Sequence, residues 1–278
     1  MELQGCDLMT ICKKNYETLE LDEDKSWVTL YLNRPAAKNA LSEKMIEELT
    51  EVLDRIANSK TIRGLALKGA NNCFCAGADL KEFEKNFVLN NPTRGEIIKL
   101  STNVALLLKR IHTMPQVVVS LVDGPAFAGG FGLVCCSDFV LGTKNAQFSI
   151  SETKIGLIPA QITPYIVERI GRRNAKKLMI SGSRFDSHEA CDYGVIDVLV
   201  NNEIELNAEF ALLQKRLMEC APEAIAFTKE ITDSYDKLES EEVIRFLANK
   251  FADCVEGEEA KEGLQAFIRK RKPKWTEL

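Results

Sequence analysis

Apolar residues recur along this chain with two different periods, and the switches between them mark out its elements. Residues 16–21 and 27–32 alternate apolar and polar around the acidic cluster Asp22-Glu23-Asp24, which predicts a hairpin turning at those acids. Behind Ser42, a good N-cap, the residues Met45, Ile46, Leu49, Val52, Leu53 and Ile56 fall on one face of a helix. A strand over 64–68 runs into the small-residue turn Phe74-Cys75-Ala76-Gly77-Ala78-Asp79-Leu80. Residues 84–96 contain Asn-Asn-Pro-Thr and show no clean period, so a mobile loop is expected there. Ile97, Leu100, Val104, Leu107, Leu108 and Ile111 define the next helix.

The unbroken apolar run Val117-Val118-Val119-Ser120-Leu121-Val122 reads as a buried strand. It leads into Gly124-Pro125-Ala126-Phe127-Ala128-Gly129-Gly130-Phe131-Gly132-Leu133 and then into an apolar stretch ending at Asp138. Further on come a short strand at 139–141, the segment Gln147-Phe148-Ser149, and a helix starting at Thr163-Pro164 with proline in its first turn. A short capped helix over 187–194 and a strand over 195–200 follow. From Glu203 the pattern is helical throughout, with Pro222 as a starter and one long stretch over 241–271. Strands alternating with helices, then helices alone, predict an α/β core over 12–200 and a helical C-terminal region over 201–278.

Composition narrows the function. With 278 residues and 45% hydrophobic content, the chain can bury a substantial core. Its 36 basic and 41 acidic residues give a net charge of −5, which argues against a specific nucleic-acid binder; the basic tail over 269–274 is a local exception. No run approaches the ~18 apolar residues that a membrane span needs, and residues 1–14 lack the charged-then-apolar order of a signal peptide. Nine cysteines without a Cys-x-x-Cys pair suggest free thiols in a reducing, cytoplasmic compartment. With only two histidines, His112 and His188, no metal site is expected.

A strand, a glycine-rich turn and a helix start leave backbone N–H groups free at the positive end of a helix dipole. The chain has two such turns, at 74–80 and 124–132. Donors from both, converging on one oxygen, would make an oxyanion hole for a carbonyl that becomes negative.

The same residues carry a resemblance. Phe74 to Lys81, the run from Gly124 to Asp138, Ala146-Gln147-Phe148 with Ser151-Glu152, and Gly156-Leu157-Ile158-Pro159 resemble the crotonase (enoyl-CoA hydratase/isomerase) family in its order. So do Leu32-Asn33-Arg34-Pro35 with Asn39-Ala40-Leu41, and the tail Phe267-Ile268-Arg269-Lys270-Arg271-Lys272-Pro273. The resemblance implies a crotonase-type ββα spiral core with a C-terminal region for oligomerisation, as a homotrimer or a hexamer made of two trimers. It implies an acyl-CoA thioester as substrate, CoA arriving as part of it, with no other cofactor. By the same resemblance Ala78 and Gly129 supply the oxyanion-hole N–H groups and Glu152 is the acid/base. CoA and substrate contacts fall on Arg34, Ala36, Asn39, Ala76, Asp79, Lys81, Gly130, Gly132, Pro159 and Lys270.

One position departs from the pattern. Many hydratases of this family carry a second glutamate three residues after the oxyanion-hole glycine, where this chain has Gly132. Glu152 could serve a hydratase alone, or an isomerase that shuttles a single proton; a catalytically silent acyl-CoA binder is the alternative outside enzymes. The stretches 132–138 and 151–165 look like bacterial methylglutaconyl-CoA hydratases, which points to 3-methylglutaconyl-CoA and leucine catabolism. Arg94, Lys99 and Lys154 are the candidate cations for the distal carboxylate of such a diacid.

Overall fold

The computed structural model describes residues 14–277, so the expectations for residues 1–13, including Cys6 and Cys12, lie outside the described residues. β1 (Leu19–Asp24) and β2 (Trp27–Leu32) pair antiparallel, with Leu19 opposite Leu32 and Asp24 opposite Trp27. The acidic cluster is therefore strand and not turn. The chain reverses at Lys25-Ser26, with Lys25 in the left-handed region at φ 57°. β1 is an edge strand, and charge there blocks further strand pairing.

α1 (Glu43–Ala57) begins as expected, the Ser42 hydroxyl accepting from the Met45 N–H. β3 (Gly64–Gly69) precedes α2 (Leu80–Glu84), a π-helical turn (Lys85–Leu89) and α3 (Arg94–His112). The segment expected as a loop is thus largely wound. Its helical restart is fixed by a capping box in which Thr93 accepts from the Glu96 N–H while the Glu96 carboxylate accepts from the Thr93 N–H.

β4 (Val117–Val122), β5 (Pro125–Phe127) and α4 (Gly129–Cys135) come next. They are followed by β6 (Phe139–Thr143), β7 (Gln147–Ser149), a 3₁₀ turn (Glu152–Ile155) and α5 (Thr163–Ser181). β8 (Arg184–Asp186), α6 (Ser187–Tyr193) and β9 (Val198–Val200) complete the strands. β9 is shorter than the sequence suggests, because Val195 and Ile196 turn inward and donate to the Ala190 carbonyl at the end of α6.

The large sheet has the order β1-β2-β3-β4-β6-β9, parallel from β2 onward, and a smaller sheet has the order β5-β7-β8. β4 and β6 each lie in the large sheet and are each followed by a strand of the small one, β5 and β7, before a helix. Repetition of that step winds the chain into a spiral. Both faces of the large sheet are covered. One core holds Leu65, Leu67 and Val118 with residues of α1, α3 and α4; the other holds Ala66, Val117 and Val119 with Leu206 and Phe210. Neighbouring residues on each strand thus point into different cores, which is why β4 reads as a continuous apolar run.

The C-terminal region comprises α7 (Glu203–Met218), α8 (Pro222–Ser234), α9 (Ser240–Glu256) and α10 (Glu258–Ile268). The stretch expected as one long helix is broken at Gly257, whose backbone is extended (φ −67°, ψ 160°). The second core bridges the division at residue 200, since Leu206 and Phe210 of α7 pack on the sheet. No helix among the described residues is long and apolar enough to cross a membrane.

Candidate active site

The two small-residue turns meet. The first leaves the end of β3 and is clamped from both sides: the Leu41 N–H donates to the Gly77 carbonyl (2.7 Å) and the Asp79 N–H to the Leu41 carbonyl (3.0 Å). Cys75 pairs with Ala126 through hydrogen bonds to Pro125 and from Phe127, which fastens this turn to β5. Gly77 adopts φ 95°, and a Cβ there would stand 2.8 Å from the Ala128 Cβ and 3.5 Å from the Gly129 nitrogen. Only glycine permits both that backbone and that closeness. Gly130 is equally constrained by space, because a Cβ on it would run into the Cys75 carbonyl.

Clamped in this way, the turns leave several N–H groups without a hydrogen-bond partner among the described residues, and those of Ala78 and of Gly129, the first residue of α4, are among them. The residue before Gly129 sets its direction. Ala128 is held at φ 50°, ψ −121°, with its own N–H donating to the Ser149 carbonyl (2.8 Å). A non-glycine residue in that region is strained, and such strain persists only where the surroundings over-determine it.

The small sheet ties the Glu152 turn to the Gly129 turn. β5 pairs with β7, Phe127 opposite Ser149, and the chain leaves β7 straight into the 3₁₀ turn that starts at Glu152. The turn ends at Gly156 in the left-handed region, and the Leu157 N–H donates to the Glu152 carbonyl (3.0 Å). Beneath it, Phe148 stacks on Phe185 with centroids 5.5 Å apart, and Phe131 meets both rings edge-on. The Glu152 side chain is half-buried, and its Oε2 is shielded and has no hydrogen-bond partner. Burial raises its pKa above the ordinary carboxylate value, a hydrogen bond from its own N–H only partly opposing this.

Gly132 faces a wall, not a cavity. A Cβ on it would collide with Ile162 Cγ2 and would lie 3.7 Å from a Leu108 methyl. The space into which a side chain at 132 would project is occupied by a buried isoleucine.

The remaining expected residues divide by exposure. Ala36, Ala78 and Lys81 are exposed, and Ala76 is half-buried with its N–H donating to the Lys38 carbonyl (3.0 Å). Arg34 and Asp79 form an ion pair at 2.9 Å; Asp79 also caps α2 by accepting from the Lys81 and Glu82 N–H groups. Burial alone would raise the Asp79 pKa, but Arg34 and the capping N–H groups hold it below the usual range. Asn39 is fully buried and its side chain is spent on the protein: it accepts from the Arg34 N–H and donates to the Ala70 and Cys73 carbonyls. It shapes the first turn. Pro159 is buried, its carbonyl accepting both from the Thr163 N–H and hydroxyl.

Lys270 follows α10, its N–H donating to the Phe267 carbonyl. Its segment folds against Arg63 and Cys220: Arg63 donates to the Trp275 carbonyl and the Trp275 indole to the Glu219 carbonyl, at the leading end of β3. Lys154 lies along Gly182, its Cε 3.0 Å from where a Cβ would sit. Arg94 and Lys99 are exposed at the start of α3. Cys75 is buried, which pushes its thiol up to about 12 and removes it as a nucleophile. Sequence reasoning did not find Ala128 or Ile162. An alanine gives no sign of a positive φ, and only the fold places Ile162 beside Gly132.

A family model described as enoyl-CoA hydratase/isomerase matches residues 22–278. Among solved structures, an enoyl-CoA hydratase/isomerase from Marinobacter aquaeolei is similar with a TM-score of 0.88 and 34% identity, over 94% of this chain and 99% of its own. An enoyl-CoA hydratase from Shewanella pealeana is similar with a TM-score of 0.89 and 30% identity, over 97% of this chain and 100% of its own. The 1,2-epoxyphenylacetyl-CoA isomerase of Escherichia coli is 29% identical over 260 residues, 91% of this chain and 96% of that protein.

Proposed function

Because the chain belongs to the enoyl-CoA hydratase/isomerase family and has its spiral fold, we propose that it hydrates a 2-enoyl-CoA to the 3-hydroxyacyl-CoA with Glu152 as its only acid/base. The observation that carries this reading is the shielded, unpartnered Glu152 Oε2, on the turn that follows β7, whose partner strand β5 runs into the Gly129 turn.

In the forward step the Glu152 carboxylate takes a proton from water as the water oxygen bonds to C3. The C2=C3 electron pair moves to C2 and onto the thioester oxygen, where the Ala78 and Gly129 N–H groups hold the charge. The enolate then collapses as C2 takes the proton back from Glu152, so both additions occur on one face. Each donor of this kind contributes on the order of 10²–10³ in rate. CoA enters only as the substrate's carrier, with exposed Lys81 near its phosphates. Exposed Leu80, Leu89, Ile97, Ile155, Leu157 and Ile158 lie on the elements framing the site and suit an apolar acyl chain. 3-Methylglutaconyl-CoA remains a substrate of this scheme, its distal carboxylate meeting Arg94 or Lys99.

Ile162 supports a second reading. With an isoleucine where a second acid at position 132 would project, that position offers no carboxylate to hold the attacking water, and moving one proton between C2 and C4 of a 3-enoyl-CoA needs only Glu152. Crotonyl-CoA, 3-methylglutaconyl-CoA and a 3-enoyl-CoA, each incubated in deuterium oxide with products identified by mass, separate the two. The proposal expects one molecule of heavy water added across the double bond of a 2-enoyl-CoA, leaving one deuteron fixed on C2. Double-bond migration without hydration would establish the isomerase, and CoA-ester binding without deuterium uptake would make the chain a silent binder.

A further inference from the structure

We propose that His112, Glu168 and Asp233 form a binding site for one divalent transition-metal ion, with zinc as the probe. The three residues come from different helices: His112 ends α3, Glu168 lies in α5, and Asp233 lies at the end of α8. Their ligating atoms all fall within 4.8 Å of one another. His112 Nε2 is 3.4 Å from Asp233 Oδ1 and 3.7 Å from Glu168 Oε2. A tetrahedral ion with nitrogen and oxygen bonds of 2.0–2.2 Å has ligand-to-ligand edges of about 3.4 Å, so the atoms already stand near coordination spacing. One imidazole with two carboxylates is a donor set that zinc and its first-row neighbours accept.

The surroundings leave these donors uncommitted. Two neighbouring cations are occupied elsewhere, Lys229 by Asp138 at 2.6 Å and Arg169 by Asp197 at 2.7 Å, and Lys237 donates to the main-chain carbonyl of Asp233, not to its carboxylate. Among the described residues, Glu168 and Asp233 make ion pairs only with His112. The imidazole is held in place by the Tyr165 ring, with centroids 5.2 Å apart. The cluster lines a cavity of about 400 Å³ that also takes in Ser137 and Thr232, giving water room to complete the coordination. Counting histidines in the sequence argued against a metal, but one histidine is enough when the fold supplies carboxylates from two other helices. The ion would tie α8 of the C-terminal region to α3 and α5 of the core.

The test uses the whole chain, stripped with chelator, titrated with Zn²⁺ by calorimetry and with Co²⁺ by absorption. One equivalent of zinc should bind per chain. His112→Gln should weaken that binding by more than about tenfold, the range that metal-site substitutions reach. Asp233→Asn should abolish the zinc-dependent rise in Tm, and Cys220→Ser should leave binding unchanged. The Co²⁺ form should show ligand-field bands without thiolate charge transfer, a readout on the unaltered chain that does not depend on any variant folding. Thiolate bands, or binding that survives both His112→Gln and Asp233→Asn, would overturn the site by placing the metal on cysteines. No stoichiometric binding would also overturn it, leaving His112 in contact with the two carboxylates and no metal.

Discussion

Glu152 is a carboxylate kept in poor solvation, and that choice has two measurable sides. Its pKa is raised by burial, so the base form is lost on acidification at a higher pH than for an ordinary glutamate. The acid limb of kcat/KM should therefore lie above the usual carboxylate range, and Glu152→Gln should lower kcat by ~10²–10⁴, the range of general acid–base catalysis, with acyl-CoA still bound. The same shift costs stability. The folded state holds the proton more tightly than the unfolded state, so the cost is absent below the ordinary glutamate pKa and fully present above the raised one. Glu152→Gln should raise Tm at neutral pH, and the gain should vanish as the pH falls below the ordinary value; a Tm that drops at neutral pH would show that the charge is well solvated. The two close turns were legible in the sequence, because glycines and alanines at strand ends announce them, whereas Glu152 was singled out only by the family resemblance. The Ala128 backbone and the Ile162 wall were not legible, since both arise from contacts between segments far apart in the chain.

At the scale of elements, short pieces hold the site together. β5 and β7 have three residues each, yet their pairing joins the Gly129 turn to the Glu152 turn, and Cys75 joins the Ala78 turn to the same ladder. Asn39 secures the other flank by tying Arg34 to Ala70 and Cys73. Asn39→Ala would orphan those partly buried backbone groups, at a cost of up to about 1–3 kcal/mol. It should lower both the denaturation midpoint and kcat; a loss of stability with kcat intact would separate the Ala78 turn from this anchor. Helices with long apolar stripes were read correctly from their period. The misjudged segments were those where local chemistry outweighs periodicity: acids tolerated on an exposed edge strand, a Thr93–Glu96 capping box after an aperiodic stretch, and a glycine that divides the C-terminal helical run.

Across the whole molecule, the C-terminal helices leave much apolar surface in solvent. Ile244, Phe251 and Val255 on α9 and Leu264, Phe267 and Ile268 on α10 are exposed, Phe267 by 85%. An apolar surface of that kind suits an interface, and the family resemblance leads one to expect a homotrimer or hexamer. Phe267→Asp should shift the chain toward monomer in light scattering after gel filtration, and an unchanged mass would place the interface elsewhere. The division into core and helical region followed from the change in period, whereas how the tail folds back through Arg63 and Trp275 could not be read from residues more than 200 positions apart in sequence. The two unpaired N–H groups have a consequence at this scale too. Amides in the large sheet can trade their protons for deuterium only when the molecule opens, while those of Ala78 and Gly129 have no bond to break before exchanging. Once a thioester oxygen sits between them, both should slow together, so their two resonances report occupancy of the site without any label or turnover.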